Sequence, residues 1–189
     1  MMGSRASDEA SPEATSQEAF TAPSFAQLYA AHAAFVWRSL RRLGAREADV
    51  EDVSQEVFVI AHRRLVELRY GSPRAWLFAI VLRVASDYRK RAYVRREVQQ
   101  ETGEPSIAET QSAYIDRARE WAFLQSVLAA LEEDKRAIFV GYELEGMSMK
   151  DLAAALDCPV QTAYSRLHAA REHVTAAIER WHRRSREGL

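Results

Sequence analysis

Apolar residues in this chain recur at three- and four-residue steps over most of its length, and the longest lapse within that pattern runs from about Val94 to Ser112. A period near 3.6 is that of a helix with one buried face, and no segment alternates apolar and polar residues as a half-buried strand does. The first stripe is Phe25, Leu28, Tyr29, His32, Phe35, Val36 and Leu40, with Gly44 placed to end it. A second stripe starts near Asp49 and carries Val50, Val53, Val57, Ile60, Ala61 and Leu65. Gly71-Ser72-Pro73 then makes a turn in which Ser72 caps a third helix and Pro73 takes its first position; Trp76, Leu77, Ile80, Val84 and Tyr88 follow. Beyond the lapse, centred on Gly103-Glu104-Pro105-Ser106, the stripe resumes with Trp121, Leu124, Val127, Leu128 and Leu131. The fold class predicted is all-α: two small helical domains, 24–93 and 113–183, joined by a flexible linker, 94–112, with a disordered tail over 1–23.

A chain of 189 residues split this way leaves each half a modest core, so its faces lean on partners. The 26 basic and 27 acidic residues nearly cancel, so charge marks function through its placement. The single cysteine, Cys158, rules out a disulfide framework within one chain and fits a reducing compartment. It reads either as a small buried filler or as a redox-sensitive thiol near a helix start. No apolar run approaches membrane-spanning length and the N-terminus has no signal-peptide pattern, so the expected location is cytoplasmic, without stable membrane insertion. The five histidines show no ligand spacing with one another or with Cys158, and no phosphate loop or nucleophile motif appears; no metal, cofactor or catalytic residue is expected.

The most informative segment is Glu145–Glu172. Gly146 interrupts a helix, Ser148 caps the next, and Met149, Leu152, Ala153 and Leu156 form one apolar face. Asp157-Cys158-Pro159 turns the chain into a further helix, in which Val160, Ala163, Leu167 and Ala170 face inward. Gln161, Thr162, Tyr164, Ser165 and His168 are left outward, flanked by Arg166 and Arg171. Two short helices, a tight turn and an outward face of amide, hydroxyl and guanidinium groups suit major-groove reading; a helical hairpin with a merely polar face is the alternative.

These residues resemble the C-terminal domain of the bacterial RNA polymerase sigma factors. The resemblance rests on Glu145-Gly146-Met147-Ser148, Pro159-Val160-Gln161-Thr162 and Ser165-Arg166-Leu167-His168-Ala169-Ala170-Arg171, and upstream on Leu131 to Phe139. It implies a helix-turn-helix that reads the −35 promoter element through Gln161, Thr162, Tyr164, Ser165, Arg166, His168 and Arg171. The family often has basic residues where Tyr164 and Ala169 stand, and glycine near Asp157, which reduces the phosphate contribution here.

In the first half, Asp49 to Phe58 reads by itself as an acidic amphipathic helix with a solvated face. Its Asp-x-x-Gln-Glu-x-Phe pattern is similar to the sigma segment that docks on the clamp of the polymerase largest subunit, which implies that contact for Asp49, Asp52, Gln55, Glu56 and Phe58. Pro73 to Arg91 resembles the segment that binds and opens the −10 element. The resemblance implies DNA contacts from Tyr70, Ser72, Arg74, Arg83, Arg89, Lys90 and Arg91, with Arg83 standing where relatives carry asparagine. Trp76 reads as core, with base stacking the alternative.

Both motifs, in the family's order and without a large accessory domain, identify the chain with the compact extracytoplasmic-function group. That resemblance implies core RNA polymerase and promoter DNA as partners, an anti-sigma protein as an inhibitor, and no enzymatic activity. A helix-turn-helix regulator acting without polymerase and a protein-binding sigma-like adaptor are the rival readings.

Overall fold

The computed structural model describes residues 23–68, 72–99 and 112–187. Among them are seven α-helices and no strand: α1 (Phe25–Arg42), α2 (Val50–Arg63), α3 (Pro73–Gln99), α4 (Ser112–Ala130), α5 (Glu133–Phe139), α6 (Met149–Ala155) and α7 (Val160–Glu187). A 3-10 turn (Leu65–Glu67) follows α2, and α5 runs on into a π-helical turn (Val140–Leu144). The expected tail, Tyr70, Gly71 and the centre of the expected linker lie outside the described residues.

Local chemistry sets the boundaries. Ser24 opens α1 with a reciprocal cap: the Gln27 amide donates to Ser24 Oγ at 3.3 Å, and the Ser24 amide donates to Gln27 Oε1 at 2.8 Å. Gly44, at φ +105°, ends the helix in a conformation that L side chains rarely adopt. Ser72 Oγ accepts from the Ala75 amide at 3.3 Å and Pro73 begins α3, as its sequence predicts. The helical stripe lapses at Val94, yet α3 continues to Gln99. Between Val94 and Gln99 stand Arg95, Arg96, Glu97 and Val98, with no glycine or proline, so propensity carries the backbone on without an apolar face.

α1, α2 and α3 pack as a three-helix unit around Phe35, Val36, Leu40, Val53, Val57 and Val81, all buried. The second unit packs α5 and α6 on α7 through Ile138, Leu152, Ala163 and Leu167. The end of α4 is clasped by Arg136, which donates to the carbonyls of Ala129 (2.9 Å) and Leu131 (2.8 Å). The side chain of Arg136 is almost fully enclosed; burial first, and then the nearby charge of Arg89, push its guanidinium below the usual range.

The two units are not held apart. One apolar core runs through both, with α6 and the π-helical turn laid against α3 and α1. Gly141 marks a close approach: a Cβ there would lie 2.3 Å from Leu152 Cδ2 and 3.1 Å from the Phe78 ring. Phe78 belongs to α3 and Leu152 to α6, and each is wholly buried. Gly141 lies in the π-helical turn. The Glu145 amide donates back to the Val140 carbonyl at 3.0 Å, and Gly146, at φ +63°, then redirects the chain into α6.

Candidate nucleic-acid interface and docking ridge

The helix-turn-helix is built as its residue types require. Ser148 Oγ accepts from the Asp151 amide at 3.1 Å and starts α6. Asp157 takes a left-handed backbone (φ +48°), and the Cys158 amide reaches back to the Ala153 carbonyl at 3.0 Å, which closes the turn. α7 then begins at Val160, directly after Pro159. Ala163, Leu167 and Ala170 are buried; Val160, expected inward, is 43% exposed in the first turn of the helix. Cys158 is half-buried against the core.

The outward face of α7 carries the groove-reading set. Gln161, Tyr164, Ser165 and His168 are exposed, and Thr162 is half-buried. Ser165 Oγ donates to the Gln161 carbonyl at 3.1 Å and stays accessible. The two flanking arginines are engaged: Arg166 pairs with Asp134 at 2.6 Å, and Arg171 with Glu143 at 2.6 Å while lying over the Tyr142 ring. Each is a charge-assisted contact that DNA phosphate would have to displace.

On the first unit, Asp52 and Gln55 project from α2 into solvent, while Glu56, part-exposed, pairs with Arg91 at 3.0 Å. Two other residues of the predicted ridge are used internally. Phe58 is 5% exposed and packs against Phe25 and Tyr29, so it secures α2 on α1 and reaches the surface only at the floor of a groove. The helical period already places it beside Val57 and Ala61 on the inner face. Asp49 accepts from Tyr88 Oη at 2.5 Å and from Arg46 Nε at 2.8 Å, tying the start of α2 to α3 and to the turn after α1. Beside the ridge, an open groove of about 720 Å³ between α1 and α2 exposes Tyr29, Trp37 and Val59. Neither Trp37 nor Val59 falls in a motif, so reading by motif missed them; their interruption of a polar face was the available signal.

Along α3 the basic residues divide. Arg83 and Lys90 are exposed and make no ion pair among the described residues. Arg89 donates to the Leu43 carbonyl at 2.8 Å and pairs with Glu133 at 2.8 Å; burial drives its guanidinium below the usual range, against the pull of Glu133. Trp76 is half-buried on the core, as its stripe predicts. Ser72 is engaged as a cap.

Arg74 lies over the Phe35 ring and reaches into the second unit, where it meets Glu145 at 3.3 Å. Arg38 meets the same carboxylate at 3.4 Å and Arg42 approaches it still more closely; Arg42 also donates to the Leu144 carbonyl at 2.7 Å. The Glu145 side chain is 1% exposed. A buried carboxylate thus faces three guanidiniums across the boundary between the units. The sequence offered only a hint of this site: Arg38 and Arg42, four residues apart, stack like charges on one helix face. Among the described residues, no group of histidine, cysteine, aspartate and glutamate side chains is arranged to hold a metal ion, and no helix is long and apolar enough to cross a membrane.

Known proteins bring these two faces together. Residues 28–95 match the family model "Sigma-70 region 2" and residues 124–174 match "Sigma-70, region 4". The chain is 33% identical over 149 residues to the ECF RNA polymerase sigma factor SigL of Mycobacterium tuberculosis, a match covering 76% of this chain and 82% of that protein. It is 31% identical to the ECF RNA polymerase sigma factor SigE of Mycolicibacterium smegmatis, where the match covers 80% of this chain but spans only 60% of the relative. The structure of CnrH in complex with the cytosolic domain of CnrY superposes with a TM-score of 0.61 at 29% identity, covering 82% of this chain and 87% of that one. RpoE of Bartonella quintana, solved with the anti-sigma factor NepR, shares the fold (TM-score 0.64, 22% identity, 82% and 96% covered). The chain therefore belongs to the extracytoplasmic-function group of the sigma-70 family, the RNA polymerase sigma factors that direct transcription initiation.

Proposed function

We propose that this chain joins core RNA polymerase through the outer face of α2, with Asp52, Gln55 and Glu56 as the contact. In this reading it binds the −10 strand along α3 through Arg74, Arg83, Arg89, Lys90 and Arg91, and reads −35 duplex with the outer face of α7. One observation carries it: in a chain of this family, Asp52 and Gln55 on α2 and Gln161, Tyr164, Ser165 and His168 on α7 all stand in solvent. A carboxylate ridge suits a basic partner helix and steers its approach. A polar face on the second helix of a helix-turn-helix suits base edges and phosphates. Strand separation in this reading draws on binding energy and needs no catalytic group. A partner protein that holds the factor inactive belongs to the same reading. What supports it is the solved pairing of CnrH with the cytosolic domain of CnrY, together with the apolar groove of Tyr29, Trp37 and Val59 beside the ridge.

The test is run-off transcription with purified core polymerase on a promoter that the full chain selects from a random library. Initiation that depends on the chain and disappears when Asp52 and Gln55 are both changed to alanine supports the proposal. Promoter binding that needs no polymerase and ignores those substitutions would instead indicate a stand-alone helix-turn-helix regulator.

A further inference from the structure

We propose that Arg38, Arg42 and Arg74 form a socket for a nucleic-acid phosphate, and that Glu145 fills this socket in the free chain, so that the second unit masks the strand-binding face of the first. The inference rests on the DNA-binding role given to α3 above. It goes beyond that role by adding Arg38 and Arg42 and by assigning the second unit as an internal competitor.

Three observations converge. First, the socket holds three cations against one carboxylate, at 3.4 Å from Arg38 and 3.3 Å from Arg74, with Arg42 nearer. Arg74 Nε is buried with no hydrogen-bond partner, so its donor capacity exceeds what Glu145 supplies. A phosphate offers more acceptor oxygens to a guanidinium cluster than one carboxylate does. Second, the substitution of carboxylate for phosphate recurs along the same face. Arg89 pairs with Glu133 of α5, and the cleft holding exposed Arg83 and Lys90 is walled on its far side by Glu133, Asp134 and Leu156. At this cleft a carboxylate of the second unit thus engages Arg89, while Arg83 and Lys90 stand beside it without an ion pair among the described residues. Third, Phe78 of the first unit and Leu152 of the second both close on Gly141 within one continuous apolar core, so parting the units at either acidic point loosens a core they share. Opening therefore uncovers the socket and the cleft together, and a strand that occupies them holds the chain open.

The experiment uses the full chain without polymerase and a fluorescein-labelled, random-sequence, 20-nucleotide single strand. Anisotropy titrations across a salt series are paired with small-angle scattering of the free protein. Removing one partner of a buried ion pair weakens the association severely, so Glu145→Gln is expected to bind the strand on the order of tenfold more tightly, with a larger radius of gyration. Adding Arg38→Gln and Arg42→Gln to that variant is expected to return much of the affinity and to flatten the log–log salt slope by roughly 0.7 for each phosphate that is no longer neutralised. Glu133→Gln, at a half-exposed side chain, provides an independent arm and is expected to tighten binding several-fold. Equal affinity and equal radius in wild type, Glu145→Gln and Glu133→Gln overturn the masking. A salt slope unmoved by the arginine changes overturns the socket. If no variant binds the strand at all, the DNA role of α3 falls too, an outcome distinct from equal binding by all.

Discussion

Gly141→Ala adds one methyl group at the place where the two units meet, and the structure predicts its cost. The new Cβ would stand 2.3 Å from Leu152 Cδ2 and 3.1 and 3.2 Å from two atoms of the Phe78 ring. Leu152 and Phe78 are each 0% exposed, so neither side chain has solvent to swing into. Overpacking a closed core costs about 1–3 kcal/mol, and an approach this short belongs at the upper end. Against that, alanine in a helical turn recovers about 1 kcal/mol relative to glycine. The net expectation is a loss of about 2 kcal/mol, which in urea corresponds to a midpoint lowered by about 1 M. Gly146→Ala is the control, because its physics differs: nothing lies within 4 Å of its Cβ, but its φ of +63° costs an L residue about 1 kcal/mol for the left-handed conformation. Urea unfolding followed by circular dichroism separates the two. A Gly141→Ala midpoint equal to or above wild type would refute the reasoning, since it would mean that Leu152 and Phe78 are free to retreat.

Four further outcomes are expected. Ser148→Ala removes the oxygen that accepts from the Asp151 amide and should cost about 1 kcal/mol by the same unfolding assay. Arg136→Met keeps the bulk but leaves the Ala129 and Leu131 carbonyls without their donor; a loss of about 3 kcal/mol is expected, and a neutral result would show that water replaces the guanidinium. His32 has its pKa lowered by burial and then by the charge of Arg74, so the unfolded chain holds the proton more tightly; its contribution to stability is full above the unfolded pKa near 6.5 and is lost as pH falls below that and through the lowered folded pKa, and His32→Gln should flatten that decline. Asp52→Ala with Gln55→Ala should leave unfolding within about 0.5 kcal/mol of wild type, since both side chains are exposed, while polymerase pull-down or affinity measurement shows the loss.

What was legible in the sequence was local. Gly44, Ser72, Pro73, Gly146, Ser148 and the turn at Asp157–Pro159 each sit where their backbone chemistry requires, because a cap or a left-handed residue is decided within a few positions of itself. The exposed set on α7 followed from the same logic: with Ala163, Leu167 and Ala170 inward, a period of 3.6 leaves Gln161, Tyr164, Ser165 and His168 no other side. Phe58 shows the cost of letting a motif override that period, since Val53, Val57 and Ala61 had already marked its face as the inner one. Val94–Gln99 shows the converse. An apolar stripe reports a buried face, not helicity, and α3 continues past the end of its stripe.

The packing of one unit on the other was not legible, for a physical reason. Periodicity says which face of α6 is apolar but not which neighbour covers it, and a charged residue in a turn reads as solvated unless its partners are known. Glu145 is separated from Arg38 by 107 positions and from Arg74 by 71. Nothing local distinguishes it from Glu143, which makes only an exposed pair with Arg171. Yet the two carboxylates have opposite consequences. Losing the Glu143–Arg171 pair changes a solvated interaction worth little. Losing Glu145 leaves three guanidiniums crowded at a boundary with no counter-charge, an arrangement far costlier than the pair was favourable. The same asymmetry makes the junction between the units answer to charge. An anion able to replace Glu145 removes the penalty of opening, whereas an uncharged partner that pulls the units apart must work against it.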